Sequence, residues 1–330
     1  MAIGKRVAGS AISEPRPDVA PARATELPPQ GGGSASVGTL LLIGAVTLLW
    51  GLNWPAMRAA VVELSPLTFR VFCVVVAGFG LLAIAALGKE PMWPRRAAWR
   101  PILLLSLVNV TGWQMLSALA LQHIGGGHGA IIAYTMPIWA TLLSAMWLKE
   151  RIDGRKILAL GLGMAGMLAL FGKDLGALGE TPLGMLYMLA AALCWALATV
   201  GIKSYRWGIG IIALSGWQLV IGGLPIVIAW LWLEPSPDLS RLTWRGGIAA
   251  VYAATVALIF CFTAYNKIVT LLPASVAAVS TLAIPVFGVM TSAWLLGEPV
   301  GPGEIAALAL VLVALSLALM PARRPARARL

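Results

Sequence analysis

The sequence predicts an all-α membrane protein of ten transmembrane helices, built as two inverted-topology repeats of five. Three observations carry that prediction: the scarcity of charge, ten apolar segments of spanning length, and a pattern of proline, serine-alanine and glutamate that occurs once in each half.

Of 330 residues, 59% are hydrophobic and only 11% are charged, and the mean hydropathy is +0.87. Soluble domains carry about 25% charged residues, so the apolar excess here must face lipid. The net charge is +11. Its basic residues fall in short groups between apolar runs and make no single basic face, which argues against nucleic acid. Cys73, Cys194 and Cys261 lie inside apolar runs. An odd number of thiols with no metal-motif spacing reads as packing residues.

Residues 1 to about 37 are rich in Pro, Ala, Gly and charge, and are expected to be disordered. No signal peptide is expected there, because the first apolar segment comes late and is long enough to span. The ten segments are Thr39–Met57, Pro66–Leu87, Pro101–Leu121, Gly129–Leu148, Ile157–Phe171, Leu183–Ile202, Ile211–Leu233, Gly247–Tyr265, Pro273–Leu296 and Ile305–Met320. A helix needs about 20 residues to cross the hydrocarbon core.

Lys and Arg distribute unevenly over the two sides. The N-terminal tail, the groups at 89–100 and 149–156, Lys203, Arg206, Lys267 and the C-terminal arginines hold 19 of the 24, while Arg58, Lys173, Arg241 and Arg245 lie opposite. The remaining one, Arg70, is inside a segment. This asymmetry predicts that both termini are cytoplasmic, and the composition of the tails, rich in Ala, Gly, Pro and Arg, points to a bacterial inner membrane.

The halves repeat each other. Trp99-Arg100 precedes the third segment and Trp244-Arg245 the eighth. Met136-Pro137-Ile138 leads through Ser144-Ala145 to Leu148-Lys149-Glu150, and Ile284-Pro285-Val286 leads through Ser292-Ala293 to Leu296-Gly297-Glu298. Two copies of an odd number of helices insert with opposite orientation, the plan of many secondary transporters, whose substrate sites lie near the midplane between repeats. The repeats are predicted at 38–172 and 182–320, followed by a basic cytoplasmic tail at 321–330.

These residues carry a resemblance. Trp50-Gly51-Leu52-Asn53-Trp54, Pro66 with Arg70, Pro137 with Leu148-Lys149-Glu150-Arg151, and Pro285 with Leu295-Leu296-Gly297-Glu298-Pro299 occur in the order and spacing of the drug/metabolite transporter superfamily. The chain resembles its ten-helix EamA branch over about residues 38 to 320. That resemblance implies a bundle around a central cavity that opens alternately to each side, and export of amino acids or related metabolites. The second half departs from the first: Trp195-Ala196 stands where the first has Trp50-Gly51. It also has no counterpart of Arg70, near whose place Trp217 sits.

Arg70 is the one Lys or Arg clearly inside an apolar segment, where insertion costs about 2.5–3.5 kcal/mol. Two readings follow: it holds a helix-end carbonyl or Glu63, or it pairs with an anionic group of substrate. Glu150 and Glu298 end their helices and are expected to brace backbone of a partner helix. No Asp or Glu falls in the middle of any segment, which disfavours proton antiport of cationic drugs. Metal transport is disfavoured for want of clustered ligands. His123 and His128 flank Gly125-Gly126-Gly127 in an expected outer loop, with proton coupling through His128 as the alternative.

Asn53, Trp54, Arg70, Asn109, Trp113, Gln114, Tyr134, Trp195, Trp217, Gln218, Tyr252 and Ser280 are the candidate substrate-binding residues, accompanied by Thr135, Thr199, Thr255 and Thr281. Polar groups at membrane depth face the bundle interior, as interhelical glue or as cavity wall. Together they describe a neutral, aromatic-walled cavity suited to a zwitterion or a moderately apolar metabolite. Pro137 and Pro285 are expected to kink their helices, and Gly161, Gly163 and Gly166 to permit close helix contact.

No Walker loop, HExxH or GxSxG motif is present, and no cofactor or catalytic residue is expected. The expected function is secondary or facilitative export of a small organic metabolite, an amino acid or related compound, by alternating access. Proton-coupled drug efflux, or a membrane-embedded enzyme or structural protein, is the competing class. The expected partners are the bilayer and a small-molecule substrate, with a homodimer left open.

Overall fold

In the computed structural model, residues 36–124, 126–171, 182–234, 239–296 and 301–320 are described. The predicted tails, Lys173, Gly297, Glu298 and Pro299 fall outside them, as do the side chains of Trp54, Arg58 and His128.

The described residues are helical and contain no strand. Among the described residues, nine helices are long and apolar enough to cross a membrane: α1 (Val37–Glu63), α2 (Pro66–Leu87), α3 (Arg96–Leu121), α4 (Gly129–Trp147), α6 (Pro182–Ser204), α7 (Ile211–Leu233), α8 (Trp244–Leu271), α9 (Ala274–Thr291) and α10 (Pro302–Leu319). In place of the predicted fifth segment stands a further 18-residue helix, α5 (Gly154–Phe171), which opens on Gly-Arg-Lys.

Capping explains several starts. Ser36 accepts the Thr39 N–H at 3.2 Å, so α1 begins two residues before the predicted Thr39. Ser65 accepts the Thr68 N–H at 3.3 Å, with Pro66 opening α2. Both are hydroxyl N-caps, and proline suits a first turn whose N–H would have no partner.

The packing is a pseudo-twofold arrangement. α2 lies along α7 and α5 along α10, each helix against its counterpart in the other half. α1 packs on α8 and α9, and correspondingly α6 packs on α3 and α4. Exchanging the halves reproduces the pattern, as inverted repeats require.

The departures from regular helix are paired too. α3 widens to a π-helix over Leu107–Gly112, and α8 over Ala253–Phe262. α4 breaks at Tyr134–Thr135, just before Met136-Pro137, and α9 at Thr281–Leu282, just before Ala283-Ile284-Pro285. Proline has no N–H for the carbonyl four residues back, and its ring crowds it. Thr135 Oγ1 donates to the Ile132 carbonyl at 2.7 Å, and Thr281 Oγ1 to the Ala278 carbonyl at 2.7 Å. Each hydroxyl is thus satisfied within its own helix, on a carbonyl that also accepts a backbone N–H.

Candidate functional site: a central cavity

A cavity of about 180 Å³ lies between the halves, lined from α1, α2, α3, α4, α6, α7, α8 and α9. It reaches Met57 near the end of α1, Phe69 near the start of α2, Leu121 at the end of α3 and Gly129 at the start of α4. It therefore lies toward the membrane face where α1 ends. Deeper in, Trp195 of α6 sits among four rings: Trp113 at 5.0 Å, Tyr265 at 6.1 Å, and Trp50 and Tyr134 at 6.3 Å. Edge-on and tilted contacts at these spacings are favourable aromatic geometry, and they build one rigid wall from α1, α3, α4, α6 and α8.

The polar groups on the wall are few. Asn53, Arg70, Asn109, Gln114 and Ser117 all line the cavity. No hydrogen bond or ion pair holds Arg70 among the described residues. Glu63, its predicted partner, is engaged elsewhere: its carboxylate accepts the Thr243 N–H at 2.8 Å and the Thr243 hydroxyl at 2.8 Å. Asn53 Oδ1 and Gln114 Oε1 are buried acceptors without a protein donor. A buried polar atom left unpaired costs about 1–3 kcal/mol. One cation and two acceptors thus face a hollow walled by aromatic rings.

Of the residues singled out in the sequence, Asn53, Arg70, Asn109, Trp113, Gln114, Tyr134 and Trp195 meet at this cavity. The side chain of Trp54 lies outside the described residues, and Trp217, Gln218, Tyr252 and Ser280 are placed outside the lining. Trp217 donates from Nε1 to the Met92 carbonyl at 2.9 Å and packs tilted against Trp93 and edge-on against Trp99. Gln218 is fully buried and accepts from Asn109 Nδ2 at 2.6 Å. The Tyr252 hydroxyl donates to the Leu49 carbonyl at 2.9 Å, and Ser280 Oγ to the Ala277 carbonyl at 2.7 Å. Thr255 bonds within its own helix, and Thr199 shares a 3.0 Å bond with the Tyr265 hydroxyl. His123 is exposed, beside the Tyr187 ring.

The structure adds Trp50, Phe69, Cys73, Ser117 and Met188 to the lining. Trp50 and Met57 share a face with Asn53 at helical spacing, and Cys73 lies one turn from Arg70. That periodicity was the available signal. No group of three or more His, Cys, Asp or Glu able to hold a metal occurs among the described residues.

At the opposite end of the bundle the helices are tied shut. Glu150, 5% exposed after α4, accepts the backbone N–H groups of Ala274 at 2.7 Å and Ser275 at 3.3 Å, and the Ser275 hydroxyl at 2.9 Å. Lys203 near the end of α6 lies 4.0 Å from this carboxylate and donates to the Leu272 carbonyl. The brace expected of Glu150 from the sequence is thus on the first turn of α9, where free N–H groups favour an anion.

Comparison with known proteins agrees with this architecture. The sequence model of the EamA-like transporter family matches residues 37–172 and again 182–320. The uncharacterized transporter YoaV of Bacillus subtilis is 26% identical over 251 residues, 76% of this chain and 86% of its own length. The uncharacterized inner membrane transporter YedA of Escherichia coli is 25% identical over 286 residues, 84% of this chain and 91% of its own. A solved crystal structure with 20% identity superposes with a TM-score of 0.74, covering 88% of this chain and all of that one, and shows the same fold. With both halves matched, this chain belongs to the EamA-like transporter family of multi-pass membrane transporters.

Proposed function

We propose that this protein is a secondary or facilitative carrier that exports a small zwitterionic metabolite, an amino acid or close relative, by alternating access. The observation that carries this reading is the guanidinium of Arg70, unpartnered among the described residues, on the wall of an aromatic cavity. A charge at membrane depth that no described carboxylate neutralises is a site for a carboxylate brought by the substrate. Asn53 Oδ1 and Gln114 Oε1 supply acceptors for an ammonium group, and the tryptophan and tyrosine rings suit a large apolar side chain. The two halves, 38–172 and 182–320, are the bodies that move against each other. Both termini lie in the cytoplasm, by the 19-to-4 distribution of basic residues, and the membrane is a bacterial inner membrane, as the tail composition suggests.

Efflux of radiolabelled amino acids from proteoliposomes tests the reading. Concentrative or exchange flux of L-phenylalanine or another large amino acid is expected, and Arg70→Ala should reduce it about 100-fold without loss of folded protein. Flux of no amino acid by well-folded wild-type protein overturns it. An imposed pH gradient in the same assay separates coupled from passive transport.

A further inference from the structure

A file of polar side chains leads from the cavity floor toward the tied-shut end of the bundle. Asn109, which lines the cavity, donates to Gln218 Oε1 at 2.6 Å. Gln218 on α7 and Asn266 on α8 are both fully buried, at 0% exposure. One turn from Gln218, Ser215 Oγ accepts from Asn266 Nδ2 at 2.9 Å. α7 and α8 follow one another in sequence, run antiparallel and pack together over this stretch. The Ser215–Asn266 contact therefore sets the register, and Gln218 faces Thr263 one turn further toward the cavity.

Three buried atoms of this file have no protein partner: Gln218 Nε2, Thr263 Oγ1 and Asn266 Oδ1. They comprise one donor, one carbonyl acceptor and one hydroxyl that can act as either. At about 1–3 kcal/mol for each unpaired group, the cluster would be a poor way to glue two membrane helices; leucines would pack as well. Its composition does match a polar guest carrying both donors and acceptors. The depth is graded as well. At 1.5 Å per residue, Asn109 stands about 15 Å along α3 from Trp99, Gln218 about 10 Å into α7 and Ser215 about 6 Å.

We propose that Ser215, Gln218, Thr263 and Asn266 form a second, uncharged site, which receives the polar end of the cargo on the side of the cavity opposite to Arg70. On opening of the Glu150 end, the site joins the permeation path. The assignment rests on the carrier reading above, in that the cargo passes between the two halves. An α3–α7–α8 route also gives a role to the π-helix that carries Asn109, since such wide turns recur at functional sites.

Two measurements test it. In protein whose Cys73, Cys194 and Cys261 are replaced by alanine, Ser215→Cys and the exposed control Ser204→Cys are treated with a membrane-impermeant methanethiosulfonate from each face of sealed vesicles. Ser215→Cys should react from the face that labels Ser204→Cys, about ten-fold faster than from the other. Absence of reaction from that face, with Ser204→Cys labelled, overturns the proposal whatever the cargo is. In the native-cysteine background, Thr263→Val, nearly isosteric and expected to fold, should lower L-phenylalanine flux about ten-fold while quenching of the cavity tryptophans by L-phenylalanine changes less than about two-fold. Unchanged flux overturns the proposal, and so does equal loss of binding, which would make Thr263 part of the first cavity. Loss of binding in Arg70→Ala is read separately and tests only the carrier reading.

Discussion

Glu63 closes α1 by accepting the backbone N–H of Thr243 at 2.8 Å, one residue before α8 begins. This single contact separates the two roles that the sequence allowed for Arg70. A glutamate spent on capping α8 is not the counter-ion of the arginine, and the guanidinium is left for the cavity. Glu63→Gln keeps an acceptor for Thr243 but removes charge from the helix terminus. It should cost about 0.5–1 kcal/mol in thermal unfolding and leave transport within about two-fold of wild type. If Glu63→Gln abolished flux as completely as Arg70→Ala, the two would be acting as a pair.

At the other end, Glu150 makes three hydrogen bonds to α9 while Lys203 makes one to the Leu272 carbonyl. Removing the carboxylate strands two N–H groups and a nearby ammonium; removing the lysine strands little. Glu150→Ala should therefore destabilise the protein by about 2–3 kcal/mol and Lys203→Met by about 1 kcal/mol. The unfolding midpoints of both variants and of the double variant check the order. Lys203→Met as the more damaging change would mean that the ion pair, not the capping, holds this end.

Asp153 sits just before α5, and its Oδ1 accepts the Lys156 N–H at 2.9 Å in the manner of an N-cap. Slight burial pushes its carboxyl up, but the Lys156 amide and the Arg155 guanidinium outweigh that and hold it below the ordinary aspartate range. A depressed folded-state value means stability that is present above the unfolded value, about 3.9, and lost as pH falls through the folded one. Wild-type protein should lose a small increment of stability in that acid window, and Asp153→Asn should lose less. Equal slopes of unfolding midpoint against pH would remove Asp153 as a contributor.

Length and apolarity made the helices legible, because both are properties of a segment by itself. Direction is not. α7 is apolar nearly all round, so nothing local states whether Trp217 faces the cavity or, as found, the Met92 carbonyl and the Trp93 and Trp99 rings. The same holds for Gln218: its polarity shows that it is buried among helices, but only the approach of Asn109 shows where. Arg70 and Asn53 were legible because a polar group near the end of an apolar run has few ways to be satisfied. The widening of α3 and α8 left no mark in composition at all. The widened turn of α3 lies close against α7, where an added Cβ at Gly222 would lie 2.6 Å from Val110 Cβ.

The glycines of α5 give the sharpest contrast between pattern and packing. Gly161, Gly163 and Gly166 read alike in sequence, yet an added Cβ at Gly161 would meet nothing within 4 Å, whereas at Gly166 it would lie 2.8 Å from Val311 Cγ2 and 3.2 Å from the Ala307 carbonyl. Gly163 is the intermediate case, facing the flexible tip of Leu282. Only Gly166 is held against backbone, at the α5–α10 contact, and backbone cannot rotate aside. Gly161→Ala should be neutral or stabilising by up to about 1 kcal/mol through helix propensity and a less flexible unfolded chain. Gly166→Ala should destabilise by about 1–3 kcal/mol, as overpacking does. Thermal unfolding of the two variants in one detergent decides it: a less stable Gly161→Ala beside an unaffected Gly166→Ala would mean that α5 presents its other face to α10.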